Sequence, residues 1–463
     1  MRASYAAIPA GQPVRLAKRT SNLFRPRTSE QVAGLDVTGL DDVISVDPLA
    51  RTADVQGMCT YERLVEATLA HDLMPTVVPQ LKSITLGGAV TGLGIESSSF
   101  RDGLPHEAVL EMDILTGSGQ LLTVSRNQHA DLFYGFPNSY GSLGYAVRLR
   151  IELEPVRQFV GLRHVWLRDL DEVSATVGEI VATGSYSGEP VDFLDGVMFS
   201  AGETYLSLGR WVASPAEAGV TKASDYTGQD VYYRSIQQRH RDCLTVSDYL
   251  WRWDTDWFWC SAAFGVQNPT IRKLWPARLR RSDFYHRLIG LDHRFRLVDR
   301  LDRLRRARPR ERVVQDVEIP LARTAEFLRW FNTTVGMSPV WLCPLRLRQR
   351  PDAAPADAVP DAAPAHGDHP WPLYPLAVGQ IYVNVGFWGT VAIAEGRADG
   401  DVNQLIEAAV AEHEGHKSLY SDAYYDRPTF ERMYGGQAYG ELKRTYDPDG
   451  RLTGLYEKAV GRR

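Results

Sequence analysis

Four cysteines in 463 residues (Cys59, Cys243, Cys260 and Cys343), none in a CxxC pair, leave no material for a disulfide framework or a structural zinc clamp. No window approaches the ~18 uninterrupted apolar residues of a membrane-spanning helix, and the stretch from Met1 to Tyr5 has no apolar signal core. These absences predict a reduced, cytoplasmic protein that meets any membrane peripherally, at the inner face of the plasma membrane. A surplus of positive charge is missing as well. The formal net charge is −5 and the pI about 6.2, which excludes a general nucleic-acid binder. Lysine is scarce, seven among 52 basic residues, so the cations are mostly arginine. His413 and His416 stand three apart with no third ligand in view, and no metal site is expected. Internal repeats are also lacking.

What is present is an ordinary globular composition, 44% hydrophobic and 24% charged, with length for two or three domains of roughly 100–200 residues each. Short apolar runs around Val14, Val43–Val46, Ala108–Leu115, Leu121–Val124 and Ala146–Leu153 read as strands, the last strictly alternating. Thr60 to His71 reads as a capped helix, and Gly117-Ser-Gly119 as a hairpin turn. Pro155 closes this region. A second region follows, with strands at Leu162–Leu167 and Tyr205–Val212 and a helix at Asp171–Thr183. Further on come a strand from Gln380 and an amphipathic helix from Gln404 to His413. The pattern is α+β rather than repeated βαβ units.

The most informative window runs from Thr85 through Leu86, Gly87, Gly88, Gly92, Gly94, Ile95 and Glu96 to Ser97, Ser98 and Ser99, with Gly103 following. Residues without a Cβ let backbone N–H groups approach a ligand, and the serines add hydroxyl donors. A tight turn between strands would use the same glycines. A second Gly/Ser-rich turn, Asn138 to Gly144, runs into the Ala146 strand. Two such turns in one domain fit a large phosphate-bearing cofactor gripped from two sides.

These motifs resemble the FAD-binding domain of the vanillyl-alcohol oxidase / p-cresol methylhydroxylase (PCMH) superfamily, and more closely its Δ24-sterol reductase-like branch. That branch includes actinobacterial reductases of 10-methylene fatty acyl chains. The residues carrying the resemblance are Gly94-Ile-Glu-Ser-Ser-Ser99, Asp131-Leu-Phe-Tyr134, Val313-Val-Gln-Asp316, Pro339-Val-Trp-Leu-Cys-Pro344, and Tyr420 to Arg427 with Phe430. It implies a two-subdomain FAD-binding domain over 1–155, shortened at its N-terminus. An α+β substrate-binding cap would follow over 156–415, with a Trp/Arg-rich insert at 226–312 and a flexible Ala/Pro/Asp loop at 349–370. A C-terminal segment, 416–463, would complete the active site.

Carried over position by position, Thr85 to Ser98 with Gly103 would hold the FAD pyrophosphate and flank the isoalloxazine. Gly141, Leu143, Gly144 and Val147 would complete the cradle, and Arg19, Thr20, Ser21 and Asn22 stand at the superfamily's first phosphate loop. Many members tether FAD through a histidine there, but the first histidine here is His71, so non-covalent FAD is implied. The branch would take its hydride from NADPH. Lys443 and Arg444 read either as flavin contacts or as solvated charges.

Reducing an isolated alkene requires a proton donor, an apolar tunnel and π-rich walls. Tyr420 and Tyr424 are the candidate donors, with Glu96 and Asp316 as carboxylate candidates. Each tyrosine reads equally as a half-buried aromatic, Glu96 as a support for the serine turn, and Asp316 as an arginine's partner. Cys343 reads as a small buried residue.

Between Tyr226 and Arg312 the composition shifts: Trp251, Trp253, Trp257 and Trp259 crowd together, and a run of arginines follows, interleaved with Trp275, Phe284, Tyr285, Leu288, Ile289 and Phe295. This suits a face docked on anionic lipid, or a charged exterior over a cap core with Asp283, Asp292, Asp299 and Asp302 pairing locally. The expected activity is NADPH-driven, FAD-dependent reduction of a lipid double bond, foremost a 10-methylene acyl chain to the 10-methyl chain. A lipid methyltransferase would be its partner in the same pathway. A Δ24-sterol reductase, an alcohol oxidase or dehydrogenase, and a non-catalytic lipid binder are the alternatives.

Overall fold

The computed structural model describes residues 1–18, 34–228, 230–295, 308–348 and 369–460, with 289–295 described by backbone alone. The turn at Arg19, Thr20, Ser21 and Asn22, the arginines at 296–307 and the 349–368 part of the Ala/Pro/Asp loop lie outside the described residues.

Two antiparallel sheets organise the described residues. The first contains β1 (Val43–Asp47), β2 (Thr52–Gln56), β3 (Leu73–Pro75), β4 (Val109–Thr116), β5 (Leu121–Ser125) and β6 (Gly144–Pro155). Their order is β1-β2-β6-β4-β5, and β3 pairs with the far end of β6. The alternation of β6 changes phase midway: Gly144 and Ala146 are buried, then Leu149, Ile151 and Leu153. A bulge causes the slip, because Asp113 pairs with Arg148 while Ile114 pairs with Ala146, leaving Val147 unopposed. Helices α1 (Tyr61–Leu69) and α2 (Leu86–Thr91) are capped by the Thr60 and Thr85 hydroxyls, which accept the Arg63 and Gly88 N–H groups. Helix α3 (Ala130–Gly135) is tied to the C-terminal segment by the Tyr446 hydroxyl, which donates to Asp131 at 2.9 Å.

After Pro155 the chain enters the second sheet at β7 (Phe159–Leu167), followed by α4 (Leu170–Thr183), β8 (Phe193–Ser200), β9 (Glu203–Val212), β10 (Arg241–Thr245) and α5 (Val246–Trp251). It continues with β11 (Arg310–Pro320), α6 (Leu321–Thr334), β12 (Val340–Leu345), β13 (Tyr382–Ala392), α7 (Asp401–Glu412) and β14 (His416–Lys417). The strand order is β10-β7-β9-β8-β12-β13-β11-β14. One face is covered by α4, α6 and α7, where Val177, Ile180, Phe327, Leu328, Ile406 and Val410 pack on Val313, Val317, Ile319 and Val385. The other face shares a core with the first sheet and with the aromatic segment after Tyr226.

That shared core corrects the outward-facing reading of the tryptophans. Trp251, Trp253, Trp257 and Trp259 are 4%, 1%, 5% and 9% exposed, and Tyr285 is 0%. Arg252, Arg272 and Arg280 are buried with them, and Arg272 pairs with Asp256 at 2.7 Å. Strand β11 shows why: Val313, Val317 and Ile319 pack under the helices, and from Val317 to Pro320 the strand is buried on both sides, so its other face there is covered as well.

Candidate active site

Helix α2 is drawn against the first sheet by main-chain contacts. Gly87 N–H donates to Gly57 O at 3.0 Å, and Gly57 N–H donates to O of the bulged Val147 at 2.8 Å. A Cβ on Gly87 would lie 2.6 Å from Gly57 O, so this position has room only for glycine. The second turn closes on the end of α2, with the Tyr140 N–H donating to Thr91 O at 2.6 Å. Asn138, Tyr140 and Gly141 make that turn in the left-handed region, at φ 60°, 51° and 75°. From the C-terminal segment, Lys443 donates to Ser142 O at 2.8 Å and Lys458 to Tyr140 O at 2.9 Å. Lys443 also pairs with Asp447 at 2.6 Å, so it braces the turn.

The junction of the two turns contains the strongest sign of a ligand. Asn138 and Ser139 are 2% and 0% exposed, yet the Asn138 amide oxygen and nitrogen and the Ser139 hydroxyl have no protein partner. Buried polar side chains are nearly always satisfied, so a bound group with donors and acceptors belongs there. The residues fit FAD, with Thr85, Gly87, Gly88 and Gly92 on one side and Asn138 to Gly144 on the other. Leu86, Ile95 and Leu143 are core residues and have only main chain to offer.

Three expected contacts are corrected. The Ser97 hydroxyl lies 2.8 Å from the Tyr249 hydroxyl, and Ser98 donates to Thr76 O at 2.7 Å, so these hydroxyls hold the loop in place rather than facing outward as cofactor donors. Leu194 N–H adds a bond to Ser97 O at 2.7 Å, joining this loop to β8. Gly103, at φ 70°, lacks a Cβ because the Glu107 carboxylate and the Arg348 chain fill that space.

On the face of the second sheet turned away from the helices, β11 presents Asp316 and Glu318, two residues apart. Asp316 accepts from Asn384 Nδ2 at 3.1 Å and from the Tyr420 hydroxyl, while the Trp388 indole N–H donates to the Tyr420 oxygen at 2.9 Å. Burial pushes the Asp316 carboxyl up to about 6. Burial, and then the neighbouring Asp316 charge, raises the Tyr420 phenol well above its usual range. Tyr140 of the second turn is close enough to act electrostatically on Tyr420, which sets the acid pair beside the cofactor cradle. Phe258, Trp259 and Trp341 line up against Trp388 at centroid distances of 4.3, 5.3 and 6.2 Å. Trp257 and Phe258 reach this arrangement through two successive left-handed residues, at φ 44° and 59°, a conformation costing about 1–3 kcal/mol each. The tryptophan-rich segment therefore supplies the π-rich wall the chemistry calls for.

The other candidates sit elsewhere. Glu96 accepts from Arg252 at 3.1 Å and from Ser97 N–H at 2.8 Å; Arg252 also reaches Asp195 at 2.9 Å. Burial, outweighing Arg252, raises the Glu96 carboxyl. Tyr424 lies against Gly400 at the start of α7, and its N–H donates to Glu407 at 3.1 Å. His413 Nδ1 lies 2.7 Å from Ala409 O, and the His416 ring sits 4.9 Å from Tyr374 and Tyr434. Sequence reading placed Asn138 and Ser139 in the second turn without naming them as cofactor contacts, and it passed over Asn384, Trp388 and Glu318. The usable signal was the pair of acidic residues, Asp316 and Glu318, at alternate positions between the apolar Val317 and Ile319.

A family model described as an FAD binding domain matches residues 5–125. The chain is similar to the Δ24-sterol reductase of Arabidopsis thaliana, 24% identical over 462 residues, covering 92% of this chain and 76% of the relative. The Δ24-sterol reductase of Homo sapiens is 24% identical over 430 residues, 90% and 76% of the two chains. Cytokinin dehydrogenase 6 of Oryza sativa subsp. japonica is 34% identical over a 144-residue stretch, 31% of this chain and 27% of that protein. The cradle, the α+β fold and these similarities agree: the chain carries a PCMH-type FAD-binding domain, is similar over most of its length to Δ24-sterol reductases, and is an FAD-dependent oxidoreductase.

Proposed function

We propose that this enzyme reduces an isolated carbon–carbon double bond of a lipid, foremost a 10-methylene acyl chain of a phospholipid, with NADPH as reductant and FAD held without a covalent link. The observation that carries the reading is the Asp316–Tyr420 pair set against aromatic walls. An unactivated alkene accepts hydride only if a proton is delivered to its other carbon, since the alternative carbanion has no stabilisation. Bound FAD supplies the hydride. The chain supplies the rest: Tyr420, backed by Asp316, presents a proton at the phenolic oxygen, Asn384 fixes the carboxyl, and the Trp388–Phe258–Trp259 faces favour positive charge developing at a tertiary carbon. A 10-methylene chain and a Δ24 sterol side chain both place that charge on a tertiary carbon. The arginine- and alanine-rich, lysine-poor composition resembles that of proteins from GC-rich bacteria, where sterols are uncommon, and this favours the acyl chain. A methyl-transfer reaction must then supply its substrate.

The test is anaerobic. Protein purified yellow and bleached with NADPH should regain its colour on adding vesicles of a 10-methylene acyl phospholipid, and less readily with a Δ24 sterol. Rapid recovery with oxygen, and none with either lipid, would sink the proposal.

No described helix is long and apolar enough to cross a membrane. We further propose that the chain docks on anionic lipid through the short helix Pro269–Leu274, where Leu274 is 82% and Ile271 41% exposed beside exposed Lys273 and Arg278. Leu274→Asp should reduce flotation with anionic vesicles while leaving turnover of detergent-dispersed lipid intact; equal flotation would refute this site.

A further inference from the structure

Glu318 has no role in the scheme above, although it stands on the same strand face as Asp316. It is 0% exposed. The Ser418 hydroxyl donates to its Oε1 at 2.7 Å, and the buried Tyr374 phenol faces it. Asn384 stands directly opposite it on β13 and reaches across to Asp316, while the Asn384 Oδ1, fully buried, has no partner. Among the described residues, the groups facing this spot from the surrounding elements are neutral or acidic. They are His416 from β14, Cys343 from β12, Tyr374, Tyr420, Tyr425, Tyr434 and, from the second turn, Tyr140. Burial presses His416 down to about 3, so it carries no charge here at neutral pH. The Lys417 ammonium points to the other side of the sheet, to Glu407 at 2.5 Å.

We infer that Asp316 and Glu318 form a carboxyl pair holding one proton between them at neutral pH, with Glu318 a positioning residue that keeps a proton available to Asp316 and Tyr420. Two carboxyls on one strand face, about 7 Å apart at their Cβ atoms, cannot both ionise cheaply in a pocket without a cation. Their protons are lost in two steps that belong to the pair. Burial raises both carboxyls, and the Asp316 charge raises Glu318 in addition, so the proton the pair keeps is placed on Glu318. In turnover that proton leaves a Glu318 oxygen and ends on an Asp316 oxygen, restoring the donor; water later returns a proton to Glu318. Nothing is oxidised or reduced in this transfer.

The inference rests on the reductase reading, and its test separates the two. In the parent, lipid-dependent reoxidation of the NADPH-bleached enzyme should persist well above pH 6 and fall only with the pair's second ionisation. In Glu318→Gln the falling limb should move down to about pH 6, the Asp316 value, with the rate near pH 5 unchanged. An unmoved limb overturns the inference, as does an equal loss at every pH, which would mean a merely structural role. A parent limb already at about pH 6 overturns it without any variant. A parent that no lipid reoxidises at any pH refutes the reductase reading instead.

Discussion

Arg252→Met should cost the fold about 3–5 kcal/mol, read as a lower urea midpoint with an unchanged slope. Arg252 is 1% exposed and serves two buried acids, Glu96 at 3.1 Å and Asp195 at 2.9 Å, under the Tyr249 ring at 4.0 Å. Asp195 in turn accepts the indole N–H groups of Trp253 and Trp341, so three segments meet on one cation. Removing it leaves two buried carboxyls without their counter-charge. Glu96, already raised by burial, would rise further. A raised carboxyl is fully accommodated below its unfolded value of about 4.3 and loses stability as pH climbs through its folded value, so the deficit should be smaller at about pH 5 than at about pH 8. Replacing all three charged residues by apolar or amide groups of similar volume should recover most of the loss. A single variant within about 1 kcal/mol of the parent would show that the cluster is not a foundation of the fold.

This cluster also shows what the sequence could and could not convey. Glu96 was visible as part of Gly94-Ile-Glu-Ser-Ser-Ser99, and a structural role was one of its two readings. Its partner Arg252 lies 156 residues away in a segment whose tryptophans and arginines suit a lipid-facing surface just as well. Composition is the same for a buried aromatic layer and an interfacial one. Only the two-sided burial of the second sheet decides between them. Local elements were legible because their signals are local: the Thr60 cap, the Gly117–Gly119 turn and the alternation of β6 all correspond to structure. The bulge at Val147 was not, since it arises from pairing with β4 and leaves no mark of its own. The glycine window was read as a place where backbone approaches a ligand; what the fold shows at Gly87 is a close approach to the Gly57 backbone. The polar groups left for a ligand came from the second turn, where Asn138 takes a left-handed conformation common to asparagine and invisible in composition.

Tyr420→Phe should slow lipid-dependent reoxidation by about 10²–10⁴-fold while the protein stays yellow and NADPH still bleaches it. The hydroxyl does two things that no neighbour can take over. It accepts the Trp388 indole N–H at 2.9 Å, which holds the aromatic wall in line, and it donates to Asp316, which links the phenol to the carboxyl. Phenylalanine retains the ring and its packing, so the fold loses little: the indole N–H left without an acceptor costs about 1–3 kcal/mol at most. The phenolic proton is lost, however, and Asp316 stays restrained by Asn384. Asp316→Asn should produce a loss of similar size, and the double variant should be no slower than the worse single, since groups acting as one unit are not additive. Additive losses would mean two separate roles. Unchanged reoxidation in Tyr420→Phe, with Asp316→Asn still slow, would make the carboxyl the direct donor and the phenol a packing residue. If both variants turn over normally, the proton enters from another wall of the site.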